Sequence, residues 1–109
     1  ERVGVCIDTQ HAWASGYDWR NNFDNIWDEF SDVVGMEYLV ALHLNDSKSD
    51  LGSRVDRHDN IGMGKIGKKG FKNFMQEKRL SHLAGYLETP GGPEMWKPEI
   101  ATLRKLAEE

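Results

Sequence analysis

Three times along this chain a short apolar run ends in a residue able to bind a cation, and a longer segment of different character follows. Val3 to Ile7 leads into Asp8-Thr9-Gln10-His11, Tyr38 to Leu44 carries His43 near its end, and Ala84 to Leu87 runs into Glu88. Alternate residues of a strand share a face. Gly4, Cys6 and Asp8 therefore fall together, opposite Val3, Val5 and Ile7. Leu39, Ala41 and His43 share a face of the second run, and Ala84, Tyr86 and Glu88 a face of the third. In the first run the ligand-type residue closes the face lined by small groups, and in each run it stands last on its face.

Between the runs the spacing turns helical. Phe23, Ile26, Trp27, Phe30, Val33 and Val34 recur at three- and four-residue intervals with acids elsewhere around the wheel, which predicts an amphipathic helix over 23–34 ended by Gly35. Its aromatic stripe reads as core packing. A second helix is expected over 69–76, packed through Phe71, Phe74 and Met75. A third is expected from Lys97, with Pro98 in its first turn and Ile100, Leu103, Leu106 and Ala107 as its apolar side. Residues 45–68, rich in glycine, read as a long functional loop. The order is β-α-β-α-β-α with connections long enough for parallel crossovers. This is α/β architecture, and in a closed β/α barrel such strand ends form the catalytic rim. A barrel needs about 250 residues, so 109 residues supply about three units of one. An open parallel sheet fits the same pattern. The chain starts at Glu1 and enters a strand pattern at once, as if cut at a strand boundary.

Composition narrows the class. Hydrophobic residues at 39% and charged residues at 29% are ordinary for a soluble globular protein, and no apolar stretch nears a membrane span. The single cysteine, Cys6, has no internal partner and fits a reducing compartment. The net charge of −4 argues against a generic nucleic-acid binder, but the charge is unevenly spread. Residues 48–79 hold nine of the fourteen basic residues against four acids, a segment of +5 beside a remainder of −9. A basic lobe of this kind suits a polyanion approaching from one side. The plainer reading is a solvated lysine-rich loop.

Each candidate ligand also has a plainer reading: His43 as a hydrogen-bonded rim residue, Asp8 as a helix cap, Glu88 as a lysine's partner, Asp56 and His58 as solvated loop residues. Their combination points elsewhere. Asp8-x-x-His11 at a strand end turns both side chains toward one rim, and Asp56-x-His58 in extended chain puts both on one side as a clamp. Carboxylates and imidazoles without thiolate suit zinc or manganese in a catalytic site with an open position.

The segments CIDTQHAWASGYD (6–18), ALHLNDSK (41–48), LGSRVDRHDNIGMGKIG (51–67) and LETPGG (87–92) closely resemble the endonuclease IV family of apurinic/apyrimidinic DNA endonucleases. The resemblance covers essentially the whole chain and matches the last part of that family's xylose-isomerase-like (β/α)8 TIM barrel. It implies one partial barrel domain over 1–109, truncated at its N-terminus. It also implies a zinc-dependent phosphodiesterase that nicks DNA 5′ to abasic sites in base excision repair, through metal-bound hydroxide, with three Zn2+ per complete enzyme. By position His11, Asp56 and His58 match the full ligand set of one zinc. Asp8, His43 and Glu88 match three of four ligands of another, whose bridging glutamate lies upstream. Lys48, Arg54, Arg57 and Lys65 become candidate phosphate contacts. Gln10 stands where many family members have cysteine, at a position that is not a ligand.

The partner implied is double-stranded DNA with abasic sites. The parent would be a monomer away from membranes, cytoplasmic and nucleoid-associated in a bacterium, or nuclear or mitochondrial in a eukaryote. Two rivals stand beside this reading. One is a single-metal sugar isomerase or epimerase of the same barrel superfamily, which has no use for the Asp56-x-His58 clamp or the +5 loop. The other is a non-catalytic zinc-binding fragment.

Overall fold

The computed structural model describes residues 4–109. Three parallel strands, β1 (Val5–Asp8), β2 (Leu39–His43) and β5 (Ala84–Tyr86), form a sheet in the order β1-β2-β5. Val3, expected in the first strand, lies outside the described residues. The register stacks Cys6, Ala41 and Ala84 in one row and Asp8, His43 and Tyr86 in another. A bulge between Val5 and Cys6, where Val5 pairs with Leu39 and Cys6 with Ala41, gives β2 one extra residue and brings Leu39 and Leu42 both into the core. The ligand-type residues of the first two strands thus align at one end of the sheet, as their alternation predicts.

Helix α2 (Phe23–Val33) covers the first crossover, and α3 (Gly67–Gln76) and α4 (Pro93–Glu108) pack on each other. The core centres on aromatic rings. Trp19 stacks on Trp27 at 5.6 Å and meets Phe74 at 4.6 Å, while Phe23 meets Phe74 edge-on at 5.0 Å. Such pairs add about 0.5–1.5 kcal/mol each beyond their burial. The stripe of α2 is core packing through Phe23, Trp27 and Phe30, but Val33 and Val34 at its end are exposed. They border an apolar groove with Val5, Ile7 and Ile26 along the β1 edge. Gly35 ends the helix with φ +103°, a conformation that L side chains rarely adopt.

Several expectations need correction. β1 is followed at once by a helix that the apolar spacing does not predict, α1 (Thr9–Ala14), which the Asp8 carboxylate caps by accepting from the Gln10 and His11 N–H groups. The last helix starts at Pro93 rather than Lys97. Pro93 fills a first-turn position after Gly92 (φ +66°), leaving Pro98 inside the helix rather than in its first turn. Ile100 and Ala107 are exposed rather than buried in the core. Glu99 is buried there instead with Leu103 and Leu106, and its carboxylate accepts from the Ile61 N–H at 2.8 Å and the Thr89 hydroxyl at 2.6 Å.

The glycine-rich connection is also ordered. Strands β3 (Asp46–Ser47) and β4 (His58–Asp59) pair antiparallel, and the chain then wraps around the Asp46 side chain. That carboxylate is fully buried and accepts from the backbone N–H groups of Ser47, Gly62, Gly64, Ile66 and Gly67. Gly64 is required by the close approach, since a Cβ there would collide with the Ser47 carbonyl and the Asp46 carboxylate.

Candidate metal centre

Asp8 ends β1, His43 ends β2, and Glu88 lies two residues past β5. Parallel strands place these three ends side by side, and one ligand atom from each lies within 4.8 Å of the others. His43 Nδ1 stands 2.6 Å from Glu88 Oε1, and the His43 ring leans toward Tyr86 at 5.7 Å. The histidine and the glutamate are about one third and one half exposed, so the cluster opens to solvent.

His58 joins this group from β4. Its Nε2 lies 3.5 Å from Asp8 Oδ2 and 3.4 Å from Asp56 Oδ1, so the expected Asp56-x-His58 clamp does bring its two side chains together. The other ring nitrogen, Nδ1, donates to the Glu88 carbonyl at 3.1 Å. A carbonyl oxygen can only accept, so Nδ1 carries a proton in that bond, and Nε2 is the nitrogen that faces the two carboxylates. His11 is different. Its backbone N–H is held by Asp8, but its side chain is exposed and belongs to no three-residue donor set among the described residues.

Buried polar residues hold this rim from beneath, and apart from the Gln10 departure their roles had no signal in the sequence. Thr9 and Asn45 exchange a hydroxyl–backbone pair at 2.7 and 2.9 Å. Gln10 Nε2 donates to the Val55 carbonyl at 3.0 Å and to Ser47 Oγ at 3.2 Å, tying α1 to the loop. Glu99 clasps Ile61 and Thr89 together, and beside it the half-buried Asn60 donates from Nδ2 to the Pro90 carbonyl at 2.8 Å. These residues read as ordinary turn or helix polars. Only their burial reveals them. Burial pushes the Asp46 carboxyl above its ordinary range, against the pull of the backbone N–H groups that it accepts from.

Lys48, Arg54, Arg57 and Lys65 are all exposed on the connection. Lys65 reaches Asp50 at 3.7 Å, whereas the other three have no ion-pair partner among the described residues. Arg54 has φ +62°, the one non-glycine residue described with positive φ, and its N–H donates to the Ala14 carbonyl at 2.8 Å. No described helix is long and apolar enough to cross a membrane.

Comparison with known proteins places this geometry. A family model described as xylose isomerase-like TIM barrel matches residues 1–106. A probable endonuclease 4 of Phocaeicola vulgatus is 53% identical over 103 residues, which cover 94% of this chain and 37% of that protein. Apurinic-apyrimidinic endonuclease 1 of Plasmodium falciparum is 47% identical over 111 residues, covering 97% of this chain and 19% of that protein. The crystal structure of endonuclease IV from Thermus thermophilus superposes with a TM-score of 0.85 at 40% identity, over 96% of this chain and 39% of that one. The chain thus spans well under half the length of these relatives. Its three β/α units form part of a TIM barrel, and the chain belongs to the xylose isomerase-like TIM barrel family together with the endonuclease IV proteins it resembles.

Proposed function

We propose that this chain carries part of the zinc centre of an apurinic/apyrimidinic endonuclease, which hydrolyses the phosphodiester 5′ to abasic sites in DNA during base excision repair. The observation that carries the reading is the meeting of Asp8, His43 and Glu88 at one end of three parallel strands.

The residues fit a zinc ion. Their donors are carboxylate oxygens and imidazole nitrogens, and they lie within 4.8 Å of one another, a short side-chain movement from the roughly 3–4 Å that separates donors sharing an ion at about 2 Å. Histidines are the only ion-pair partners of Asp8, Asp56 and Glu88 among the described residues, and no lysine or arginine is paired to them. Carboxylates left so uncompensated attract a cation. Zinc bound there would supply Lewis acidity to the phosphoryl group and acidify water near neutral pH.

The chain's own residues divide the rest of the work. Asp8, His43 and Glu88 hold one ion, and His11, Asp56 and His58 are the proposed set for a second. The bond from His58 Nδ1 to the Glu88 carbonyl aims Nε2 inward, the second-sphere arrangement that orients ligating histidines. Lys48, Arg54, Arg57 and Lys65 contact backbone phosphates, which gives salt-sensitive affinity without sequence preference. For this chain taken alone we propose cation binding without cleavage, because a single three-donor set gathers among the described residues.

The test is elemental analysis of the full-length parent together with nicking of an abasic duplex, with and without a chelator. Zinc in the parent and nicking that stops on chelation are expected. Nicking that survives complete metal removal would overturn the metal reading. Ketose epimerisation without nicking would move the protein to the sugar-isomerase branch.

A further inference from the structure

Asn45 lies between two of the candidate ligands and is fully buried. The Glu88 backbone N–H donates to Asn45 Oδ1 at 2.9 Å, and Asn45 Nδ2 donates to Asp8 Oδ2 at 3.3 Å. Together these contacts settle which way the amide faces, since a backbone N–H needs an acceptor and an ionised carboxylate needs a donor. One planar group therefore ties the end of β1 to the segment after β5, two strands that β2 separates. The Asn45 backbone is held independently, by the Thr9 hydroxyl.

We propose that Asn45 is a positioning residue for the metal centre. It sets Asp8 and Glu88 so that their carboxylates converge with the His43 imidazole before a cation arrives. The inference rests on the metal reading above. A set of ligands aligned in advance gives up less side-chain freedom on binding than one that the ion must gather. Asparagine suits both contacts. Aspartate would set a second anion against Asp8, leucine neither donates nor accepts, and glutamine is one methylene too long.

Zinc titration of the 109-residue chain in competition with a chromophoric chelator tests this. Asn45→Ala is expected to weaken zinc binding by about 10- to 100-fold. Thr9→Val removes the grip on the Asn45 backbone but leaves its amide in place. It is expected to lower the melting temperature while zinc affinity stays within about threefold of wild type. If Asn45→Ala loses no more zinc affinity than Thr9→Val, the role is overturned, because the loss then follows folding alone. Should Asn45→Ala fail to fold, Asn45→Ser keeps a polar atom in the buried site and is expected to lose about tenfold. Wild-type affinity in Asn45→Ser would equally overturn the role. A wild-type chain that takes up no zinc sinks the metal reading and this inference with it, whereas tight wild-type binding matched by the Asn45 variants sinks the inference alone.

Discussion

His43 Nδ1 and Glu88 Oε1 meet at 2.6 Å although 45 residues separate them in the chain. The contact exists because β2 and β5 run parallel and finish at the same level, with His43 paired to Tyr86. It places an anion and a nitrogen donor in one open cluster with Asp8.

Glu88→Gln keeps the shape of that side chain and removes its charge. The variant should weaken zinc binding about tenfold or more and leave the circular dichroism spectrum unchanged. Competition with a metal-binding dye measures the first effect. Unchanged affinity would place the ion elsewhere.

His58→Ala should remove one metal from the full-length parent while sparing most of the fold, since the polar contacts of the His58 side chain are with Asp8, Asp56 and the Glu88 carbonyl, and it is not part of the hydrophobic core cluster. Elemental analysis of purified variant and parent decides it. Full stoichiometry in the variant would refute the proposed Asp56–His58 ligand pair.

Asp46→Ala should destabilise the chain by about 3 kcal/mol or more, because five backbone N–H groups lose a buried acceptor together. A urea midpoint well below that of wild type, followed by tryptophan fluorescence, shows the loss without assuming a two-state transition. Residues 60–67 should also exchange their amide hydrogens far faster than in wild type.

The ion pair of Glu77 with Arg79, at 2.8 Å, should make stability depend on pH. The Arg79 guanidinium holds the Glu77 carboxyl below its ordinary value of 4.5, chiefly through their side-chain hydrogen bond. A depressed carboxylate contributes stability that is complete above its unfolded value and is lost as pH falls through its folded one. Glu77→Gln should therefore cost about 0.5–1 kcal/mol at pH 7, and the difference should close in strong acid. Paired denaturation curves at the two pH values check the sign.

Unfolding of the chain alone should be broad. Neither β1 nor β5 has an outer neighbour among the described strands, and apolar grooves flank both, lined by Ile26 and Phe30 on one side and by Trp96 and Ile100 on the other. Calorimetry reads this directly, with a calorimetric enthalpy larger than the van't Hoff value. A sharp two-state melt would contradict it.

The strands and the polar residues at their ends were legible because alternation is a strong local signal. Small residues such as Gly4, Cys6 and Ala41 mark one face, Val5 and Ile7 mark the other, and the polar residue that closes the first face stands out. The stripe of α2 was equally plain. What escaped is held by contacts distant in sequence. Helix α1 has only six residues, and its buried Thr9 and Gln10 find their partners 36 to 45 positions away. Asp46 looked like one more acid in a polar connection, yet it organises the turn from Gly62 to Gly67. Glu99 was passed over for Ile100 because an apolar stripe was expected, while the buried donors of Ile61 and Thr89 required a carboxylate.

That carboxylate has a wider consequence. Apolar packing is non-directional, so a helix seated only by Leu103 and Leu106 can roll or slide a little at small cost. Glu99 must reach a backbone amide and a hydroxyl at once, which forbids both movements. The outer wall is thereby tied to the segments around Ile61 and Thr89, and moving either away from α4 leaves a buried carboxylate short of a donor.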